Sequence, residues 1–258
     1  MSAPGGDPRR ELARHLRQRA ELGLGSVFLE AMGRDEALER ARSIRPLRPS
    51  PRPSAPSNLP AAEPAGLPAP LAVLSLDYET LREEALACTR CRLCEGRTQV
   101  VFSDGNPRGR LMVVGEAPGA NEDATGLPFV GQAGKLLDLL LASVGLSRKD
   151  SVYICNVIKC RPPGNRNPNP DEIAACAPFL RRQIELVRPE AILAVGGFSA
   201  QLLTGRQIPL GKLRGEVYSY EGAPLVVTYH PAALLRNPGW TRATWDDLQL
   251  LRQVMDGR

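Results

Sequence analysis

The sequence lacks the apolar segments that membrane and secreted proteins carry. None of its apolar runs is long enough to span a bilayer, and its N-terminus has no hydrophobic signal-peptide region. We therefore expect a cytoplasmic protein with no membrane association. Its six cysteines, three of them in consecutive Cys-x-x-Cys spacings, then indicate metal or redox chemistry rather than disulfides.

Net charge and histidine are also scarce over most of the chain. The net charge is +5, but residues 1–52 hold eleven Lys and Arg against seven Asp and Glu, which leaves +1 for the rest. Overall charge is therefore weak support for nucleic-acid binding by the main domain. Of the two histidines, His15 is expected on the surface of an N-terminal helix, so His230 is the histidine to consider for chemistry.

Composition divides the chain into three parts. Residues 1–45 are predicted to be a basic segment with short helices. Residues 46–75 are predicted to be a Pro-rich linker, because nine prolines fall between residues 46 and 70. We expect this N-terminal extension to be disordered or partly helical. Residues 76–258 form the predicted functional domain.

In the predicted domain, strand-like apolar runs alternate with amphipathic helical patterns. Strands are predicted over 111–115, 151–157, 191–195 and 225–229, and helices over 132–144, 170–187, 198–203 and 241–255. This alternation predicts an α/β fold of three layers, α/β/α, with a central, mostly parallel four-stranded sheet. In such sheets, ligands bind at the carboxyl ends of the strands.

The loop after the first strand is the most informative segment. Residues 115–131 read Gly-Glu-Ala-Pro-Gly-Ala-Asn-Glu-Asp-Ala-Thr-Gly-Leu-Pro-Phe-Val-Gly, which is long for a connector between two strong elements. It carries Glu116, Glu122 and Phe129, and two other strand ends deliver Asn156 and His230. Carboxylates, an amide, an aromatic ring and an imidazole are thus predicted at one sheet edge. The alternative for His230 is a cap on the helix that follows it.

These motifs resemble those of family 4 uracil-DNA glycosylases, which carry an iron–sulfur cluster. The segments that carry the resemblance are Gly115-Glu-Ala-Pro-Gly119, Glu122-Asp123, Pro128-Phe-Val-Gly131, Asn156, Lys159-Cys-Arg-Pro-Pro163, Asn165-Arg166 and His230-Pro-Ala-Ala-Leu-Leu-Arg-Asn-Pro238. The resemblance covers about residues 80–256. It implies an N-glycosyl hydrolase that flips uracil out of DNA and cleaves its glycosidic bond. The abasic site that remains would initiate base excision repair.

The resemblance also implies how the base is held. Phe129 stacks on the extruded uracil, and Asn156 matches the uracil edge and thereby refuses cytosine. His230 donates a hydrogen bond to uracil O2 as negative charge builds there. Backbone N–H groups around Glu116 and Ala117 contact the base.

The carboxylate that activates water is less clearly marked. Classical uracil-DNA glycosylases carry an aspartate two places after the first glycine, where this chain has Ala117. We favour Glu122 as the residue that polarises the water, with Glu116 shaping the base pocket. The alternative for Glu122 is a solvated loop carboxylate with no catalytic role.

Four of the six cysteines match the cluster ligands of the family that the sequence resembles, and the other two are extra. The resemblance implies four cluster ligands: Cys88, Cys91, Cys160 and Cys176. From the residues alone, four thiolates suit either structural zinc or a [4Fe–4S] cluster, and the resemblance implies the [4Fe–4S] cluster in a structural role. Cys155 is predicted to be a buried strand residue, and Cys94 is the one competitor for ligation.

A DNA interface is expected around the same edge. Arg161 and Arg166 are predicted to face phosphates, and Leu234, Leu235 and Arg236 to lie on an exposed turn that enters the duplex. The alternative is that one or both leucines pack under the last helix. We expect a monomer that acts on single- or double-stranded uracil-containing DNA. A repair or replication partner is expected to contact the N-terminal extension.

Two other functions fit parts of the sequence. One is a uracil-DNA binder that traps its substrate, but relatives of that kind carry a basic insertion ending in histidine after Phe-Val-Gly, and Gly131 here runs straight into a helix. The other is an iron–sulfur redox protein, which the cysteines alone would permit. It leaves Phe129, Asn156 and His230 unexplained.

Overall fold

The computed structural model describes residues 71–257 of the protein. The predictions for residues 1–45, for residues 46–70 of the linker and for His15 lie outside this range. Within it, no helix is both long enough and apolar enough to cross a membrane.

A single mixed sheet forms the centre of the fold. Its strands are β1 (Asp104–Gly105), β2 (Leu111–Gly115), β3 (Val152–Asn156), β4 (Ala191–Val195), β5 (Val217–Tyr220) and β6 (Ala223–Thr228). They lie in the order β1-β3-β2-β4-β6-β5. The four central strands are parallel, while β1 and β5 pair antiparallel at the two edges.

The sheet confirms the predicted α/β class and corrects the strand count from four to six. The four predicted strands are the central parallel ones. Both additional strands lack a sustained apolar run, because β1 has only two residues and the side chains of β5 alternate between exposed and half-buried. They form because an edge strand offers unpaired backbone groups to a neighbouring segment.

Helices cover both faces of the sheet. The α-helices in the described residues are α1 (Tyr78–Leu86), α2 (Leu93–Gly96), α3 (Ala120–Thr125), α4 (Gln132–Ser143), α5 (Pro170–Val187), α6 (Gly197–Thr204), α7 (Leu210–Leu213), α8 (Pro231–Arg236) and α9 (Thr241–Met255). Short 3-10 helices cover Leu71–Ser75, Pro163–Asn165 and Pro238–Trp240.

The central strands are buried on both faces, which gives the three layers. In β2, Met112 and Val114 pack into one core with residues of α5, α6 and α7. Leu111 and Val113 point to the other core, with residues of α4 and α9. This is why the parallel strands read as continuous apolar runs rather than as alternating patterns.

The register brings the carboxyl ends of the strands level. Gly115 of β2 pairs with Asn156 of β3, and Val195 of β4 pairs with Thr228 of β6. The loops that leave these strands therefore start from one edge of the sheet.

The 3-10 helix Leu71–Ser75 packs on the domain, although composition assigned it to the linker. Val73 is 1% exposed and shares a small core with Leu81, Phe102 and Phe179. The boundary at residue 75 stays a prediction, but part of the core comes from the segment before it.

Shortening Val73 tests this packing. Val73→Ala should lower the free energy of unfolding by about 1–3 kcal/mol, because it removes buried methyl groups and leaves a void. Leu86→Ala, at a position 41% exposed, is the control and should change it by less than about 0.5 kcal/mol. Urea denaturation measures the free energy of unfolding of each variant. An equal decrease in the two variants would contradict the position of Val73 in the core.

Candidate active site

An open cleft of about 480 Å³ lies at the carboxyl edge of the parallel strands. Each central strand delivers a lining residue: Glu116 follows β2, Asn156 ends β3, Gly196 follows β4 and His230 comes shortly after β6. The volume suits a small ligand or part of a larger one. The residues singled out at separate strand ends thus share one concave surface.

Asn156 presents an unused amide to this cleft. Its side chain is 2% exposed, and no residue from 71 to 257 forms a hydrogen bond with the amide group. A Cβ atom at Gly115 would overlap the Asn156 Oδ1 atom and lie 2.7 Å from Phe129 Cζ, so only glycine allows both side chains to lie there. Arg90 Nη1 and Arg181 Nε are the buried unpaired side-chain atoms of the described residues, so the Asn156 amide is open to the cleft, where a ligand can bind it.

A buried lysine supports the Asn156 backbone from behind. Lys159 is 2% exposed, and its Nζ donates to the Asn156 carbonyl oxygen at 2.7 Å and to Gln183 Oε1 at 2.6 Å. Gln183 Nε2 in turn donates to the Tyr153 hydroxyl at 2.7 Å. This network fixes the end of β3 and so the position of the amide.

His230 is held as a neutral hydrogen-bond donor. It is the N-cap of α8, where its Nδ1 accepts the Ala232 N–H at 3.1 Å, so the proton of the neutral ring is on Nε2. Burial lowers the pKa of His230 to about 4, with Arg236 adding to the effect and Glu122 opposing it. The ring also stacks on Phe129, with centroids 5.5 Å apart and planes at 25°. The capping role and a position in the cleft are therefore compatible.

The two loop glutamates have different surroundings. Glu122 Oε2 accepts the Gly119 N–H at 3.2 Å, and Oε1 accepts those of Val130 and Gly131 at 3.1 and 3.3 Å. The Glu122 carboxylate therefore connects Gly119, near the start of the loop, to Val130 and Gly131 at its end. Glu116 is half-buried, none of the described residues donates a hydrogen bond to its carboxylate, and burial raises its pKa.

The cysteines predicted as ligands line a second, smaller cavity. Its walls include Cys88, Cys91, Cys160 and Cys176, whereas Cys94 and Cys155 do not line it. No set of three or more Cys, His, Asp or Glu side chains within residues 71–257 is arranged to hold a metal ion. What the structure provides is a cavity shared by four thiols rather than a closed coordination site.

The charges around this cavity fit an anionic group. Arg90, Arg97 and Lys159 also line it, and the buried Nη1 of Arg90 has no hydrogen-bond partner among the described residues. Arg97 Nη1 lies 3.3 Å from Cys160 Sγ. Burial raises the pKa of Cys176 to about 12, and a metal bound there would hold the residue as a thiolate. The donors present therefore suit a thiolate-bound metal cluster.

Known proteins have sequences similar to this chain. A family model of the uracil DNA glycosylase superfamily matches residues 102–249. The chain belongs to this superfamily. A type-4 uracil-DNA glycosylase of Sulfurisphaera tokodaii is 41% identical over 184 residues, 68% of this chain and 84% of the relative. One of Thermotoga maritima is 47% identical over 161 residues, 62% of this chain and 83% of the relative. The resemblance found in the motifs is thereby confirmed.

In this superfamily member, the two leucines after the histidine are not equivalent. Leu234 is 3% exposed and packs in the interior, so its side chain is not available to DNA. Leu235 is 52% exposed at the end of α8, and Arg236 beside it is exposed and lines the cleft. Helical spacing separates the two leucines, because successive residues of a helix point in different directions.

The two arginines predicted to meet phosphates already have partners. Arg166 binds the fully buried Glu172 through two N–H groups, at 2.9 and 2.6 Å, and this contact lowers the pKa of Glu172. Arg161 donates through Nε to Asn165 Oδ1 at 2.8 Å. Arg166 therefore ties the cleft wall to the start of α5, and its freedom to contact a phosphate is reduced.

Sequence reasoning missed Gly196 and Gln183, and it gave Lys159, a residue of one motif, no role of its own. Gly196 has φ 101° and leaves room for His230. A Cβ atom added at position 196 would lie 3.3 Å from the His230 Cβ. A glycine pair directly after the strand 191–195 was the available signal. Lys159 and Gln183 had no such signal, because nothing in the sequence shows that a lysine and a glutamine 24 residues apart meet in the core.

Proposed function

We propose that this protein is a uracil-DNA glycosylase that hydrolyses the bond between uracil N1 and deoxyribose C1′. The observation that carries the proposal is the buried Asn156 amide, which has no partner in the described residues and shares its cleft with the neutral His230. The abasic site produced is the substrate of base excision repair. We propose that the protein acts in the cytoplasm on single- or double-stranded DNA.

Recognition of the base follows from the Asn156 amide. Its Nδ2–H can donate to uracil O4, and its Oδ1 can accept the N3–H of uracil. Cytosine presents an amino group and an unprotonated N3 at these two positions, so both contacts would fail. The Phe129 ring supplies the apolar surface for stacking, and the backbone N–H groups near Glu116 and Ala117 contact the base. Unpaired polar groups in a buried site give strong discrimination.

The bond-breaking step puts negative charge on the base. When the N1–C1′ bond breaks, its electron pair stays on uracil, and charge accumulates at O2 while the sugar becomes oxocarbenium-like. We propose that the Nε2–H of His230 donates to O2. Because the imidazole is neutral, it stabilises the anion as a hydrogen-bond donor rather than by transferring a proton.

Water completes the reaction at C1′. Its oxygen forms the new bond to C1′, and one of its protons must move to a base. We propose Glu116 for this role, and we reverse the assignment made from the sequence, because three backbone N–H groups already occupy the Glu122 carboxylate. Burial raises the pKa of Glu116, which makes its carboxylate a stronger base than an ordinary glutamate. Glu122 would then act by shaping the loop.

Glutamine variants separate the two glutamates. Glu116→Gln should slow single-turnover uracil release about a hundred-fold with an unchanged melting temperature, because it removes a base. Glu122→Gln should lower the melting temperature, because its amide NH2 would face the N–H groups that the carboxylate accepts. In the unaltered protein the rate should fall as the pH drops through the raised pKa of Glu116, which must be ionised to accept a proton. A slow but fully stable Glu122→Gln variant would restore the assignment to Glu122.

The four-thiol cavity would hold a [4Fe–4S] cluster on Cys88, Cys91, Cys160 and Cys176. When bound, such a cluster supplies a structural cross-link and has redox chemistry of its own. Its ligands come from the segment after α1, the loop after β3 and the helix α5. A cluster bound there would therefore connect the segment after α1 to the loop that carries Arg161 and Arg166.

The DNA interface that we propose uses the rim of the cleft. Leu235 would fill the gap left by the flipped nucleotide, and Arg236 and Arg161 would contact phosphates. The buried Leu234 would only support α8. We propose that the protein acts as a monomer. The N-terminal extension would bind a repair or replication partner.

A labelled oligonucleotide with a single uracil tests the function. Incubation of the single strand and of the duplex, followed by alkali, should give a strand break at the uracil position. Matched oligonucleotides with thymine, cytosine or hypoxanthine at that position test the base preference. A stable protein–DNA adduct without strand breaks would indicate the trapping function. No reaction and no adduct would favour a redox role for the cysteine cavity.

A further inference from the structure

An exposed tryptophan, four residues after the cleft-lining Arg236, stacks on a tyrosine. The Tyr229 and Trp240 rings are stacked, with centroids 4.6 Å apart and planes at 16°. The Arg214 guanidinium also packs on the Tyr229 ring, 4.6 Å from its centroid. We call Trp240, Tyr229 and Arg214 the Trp240 platform. Tyr229 directly precedes His230, so the platform is tied to the cleft by the backbone.

Buried polar groups hold the platform in place. Arg214 Nε and Thr228 Oγ1 both donate to Asp247 Oδ2 at 2.6 Å, and Asp247 is 2% exposed. Arg214 also donates to the Ala243 carbonyl oxygen. Such a buried ion pair fixes Arg214, and through it the Tyr229 ring.

The backbone fixes Trp240 itself. Its N–H donates to the Asn237 carbonyl oxygen at 3.1 Å, and its own carbonyl oxygen accepts the Thr244 hydroxyl at 3.1 Å. A pre-ordered ring loses little conformational entropy when a ligand binds it.

Trp240 nevertheless remains 41% exposed. Tyr229 covers part of the indole, and in residues 71–257 no other ring stacks on it. The 3-10 helix that ends at Trp240 follows α8, whose last residues are the exposed Leu235 and the cleft-lining Arg236. Exposed aromatic rings are the stacking surfaces that proteins use to bind the bases of single-stranded nucleic acid.

We propose that Trp240 stacks on an unpaired base of the uracil-containing strand, next to the flipped uracil. This inference rests on the proposed function, because it extends the same DNA interface. Stacking on an aromatic ring tolerates any base, since every base has a π-face. In a duplex the neighbouring bases are already stacked, so the platform should add more affinity for single-stranded DNA. Arg236 and the exposed Arg242 nearby offer charges for the phosphates.

Binding of uracil-free DNA tests the proposal without any turnover. Trp240→Ala should weaken binding of a uracil-free single strand about five- to a hundred-fold, the loss typical of one stacked base. Binding of the matching duplex should weaken by less than about three-fold. Trp240→Phe should retain most of the affinity, because phenylalanine keeps a stacking face. Leu139→Ala, at a position 54% exposed on α4, is the control and should bind like the unaltered protein.

Fluorescence gives a second readout. The chain has two tryptophans, so in a Trp245→Phe background Trp240 is the only one. Its emission should be quenched by the single strand much more than by the duplex. No quenching, an unaffected Trp240→Ala variant, or equal losses for single strand and duplex would each overturn the proposal. Since this DNA contains no uracil, these results are independent of whether the protein releases uracil, which the alkali assay decides separately.

Discussion

His230→Ala is expected to lower the single-turnover rate of uracil release about a hundred- to a thousand-fold, with little change in affinity for uracil-containing DNA. The Nε2–H of His230 would act on charge that develops at uracil O2 only as the glycosidic bond breaks. Removing a donor of this kind typically reduces the rate by that factor. Because the interaction is absent in the ground state, the turnover number should fall and the Michaelis constant should change little.

The capping role of His230 calls for a second variant. Alanine would also remove the acceptor for the Ala232 N–H at the start of α8, a loss of about 0.5–2 kcal/mol of stability. Asparagine is a favoured N-cap residue, so His230→Asn should keep α8 intact but place no donor where Nε2–H lies. A stable His230→Asn variant that releases uracil at the unaltered rate would exclude His230 from the chemistry.

Replacement of any one cavity cysteine is expected to remove iron and to reduce the soluble yield severely. Cys88→Ala, Cys91→Ala, Cys160→Ala and Cys176→Ala each delete a ligand of the proposed cluster, which would link separate segments of the fold. Loss of the group would also leave Arg90, Arg97 and Lys159 as cations around an uncharged cavity. Iron and acid-labile sulfide, measured on anaerobically purified protein, give the outcome.

Two other cysteines provide matched controls for this experiment. Cys155 is buried within β3 and Cys94 lies in α2, and neither lines the cavity. Cys155→Ala and Cys94→Ala should keep the full iron content. Zinc in place of iron in the unaltered protein would contradict the cluster, and iron loss from the Cys94 variant would contradict the ligand set.

Much of the fold could be predicted because its central elements carry their own signals. The helix 170–187 starts at Pro170-Asp171-Glu172 and runs to Val187 as predicted, since proline and acidic residues favour a helix N-terminus. The strand 111–115 is equally clear, because a strand buried on both faces is apolar throughout. The six-residue helix α3 inside the glycine-rich loop and the edge strands β1 and β5 have no comparable pattern. β1 and α3 depend on contacts with distant parts of the chain, whereas β5 pairs with β6 across the two-residue turn Glu221-Gly222.

The sequence by itself determined which residues reach the carboxyl edge of the sheet, because strand ends are local features and parallel strands align them. The resemblance to a known family, rather than the spacing alone, implied the four cysteines that share a cavity. Only the tertiary structure decided how Glu116 and Glu122 differ, since three backbone N–H groups converge on Glu122 from two ends of one loop. Tertiary packing likewise buried Leu234 and exposed Leu235. Burial depends on neighbours distant in sequence, and no local pattern contains that information. The hydrogen bonds of Glu122 and His230 are short-range, but they form only in the backbone geometry that the folded loop and α8 adopt.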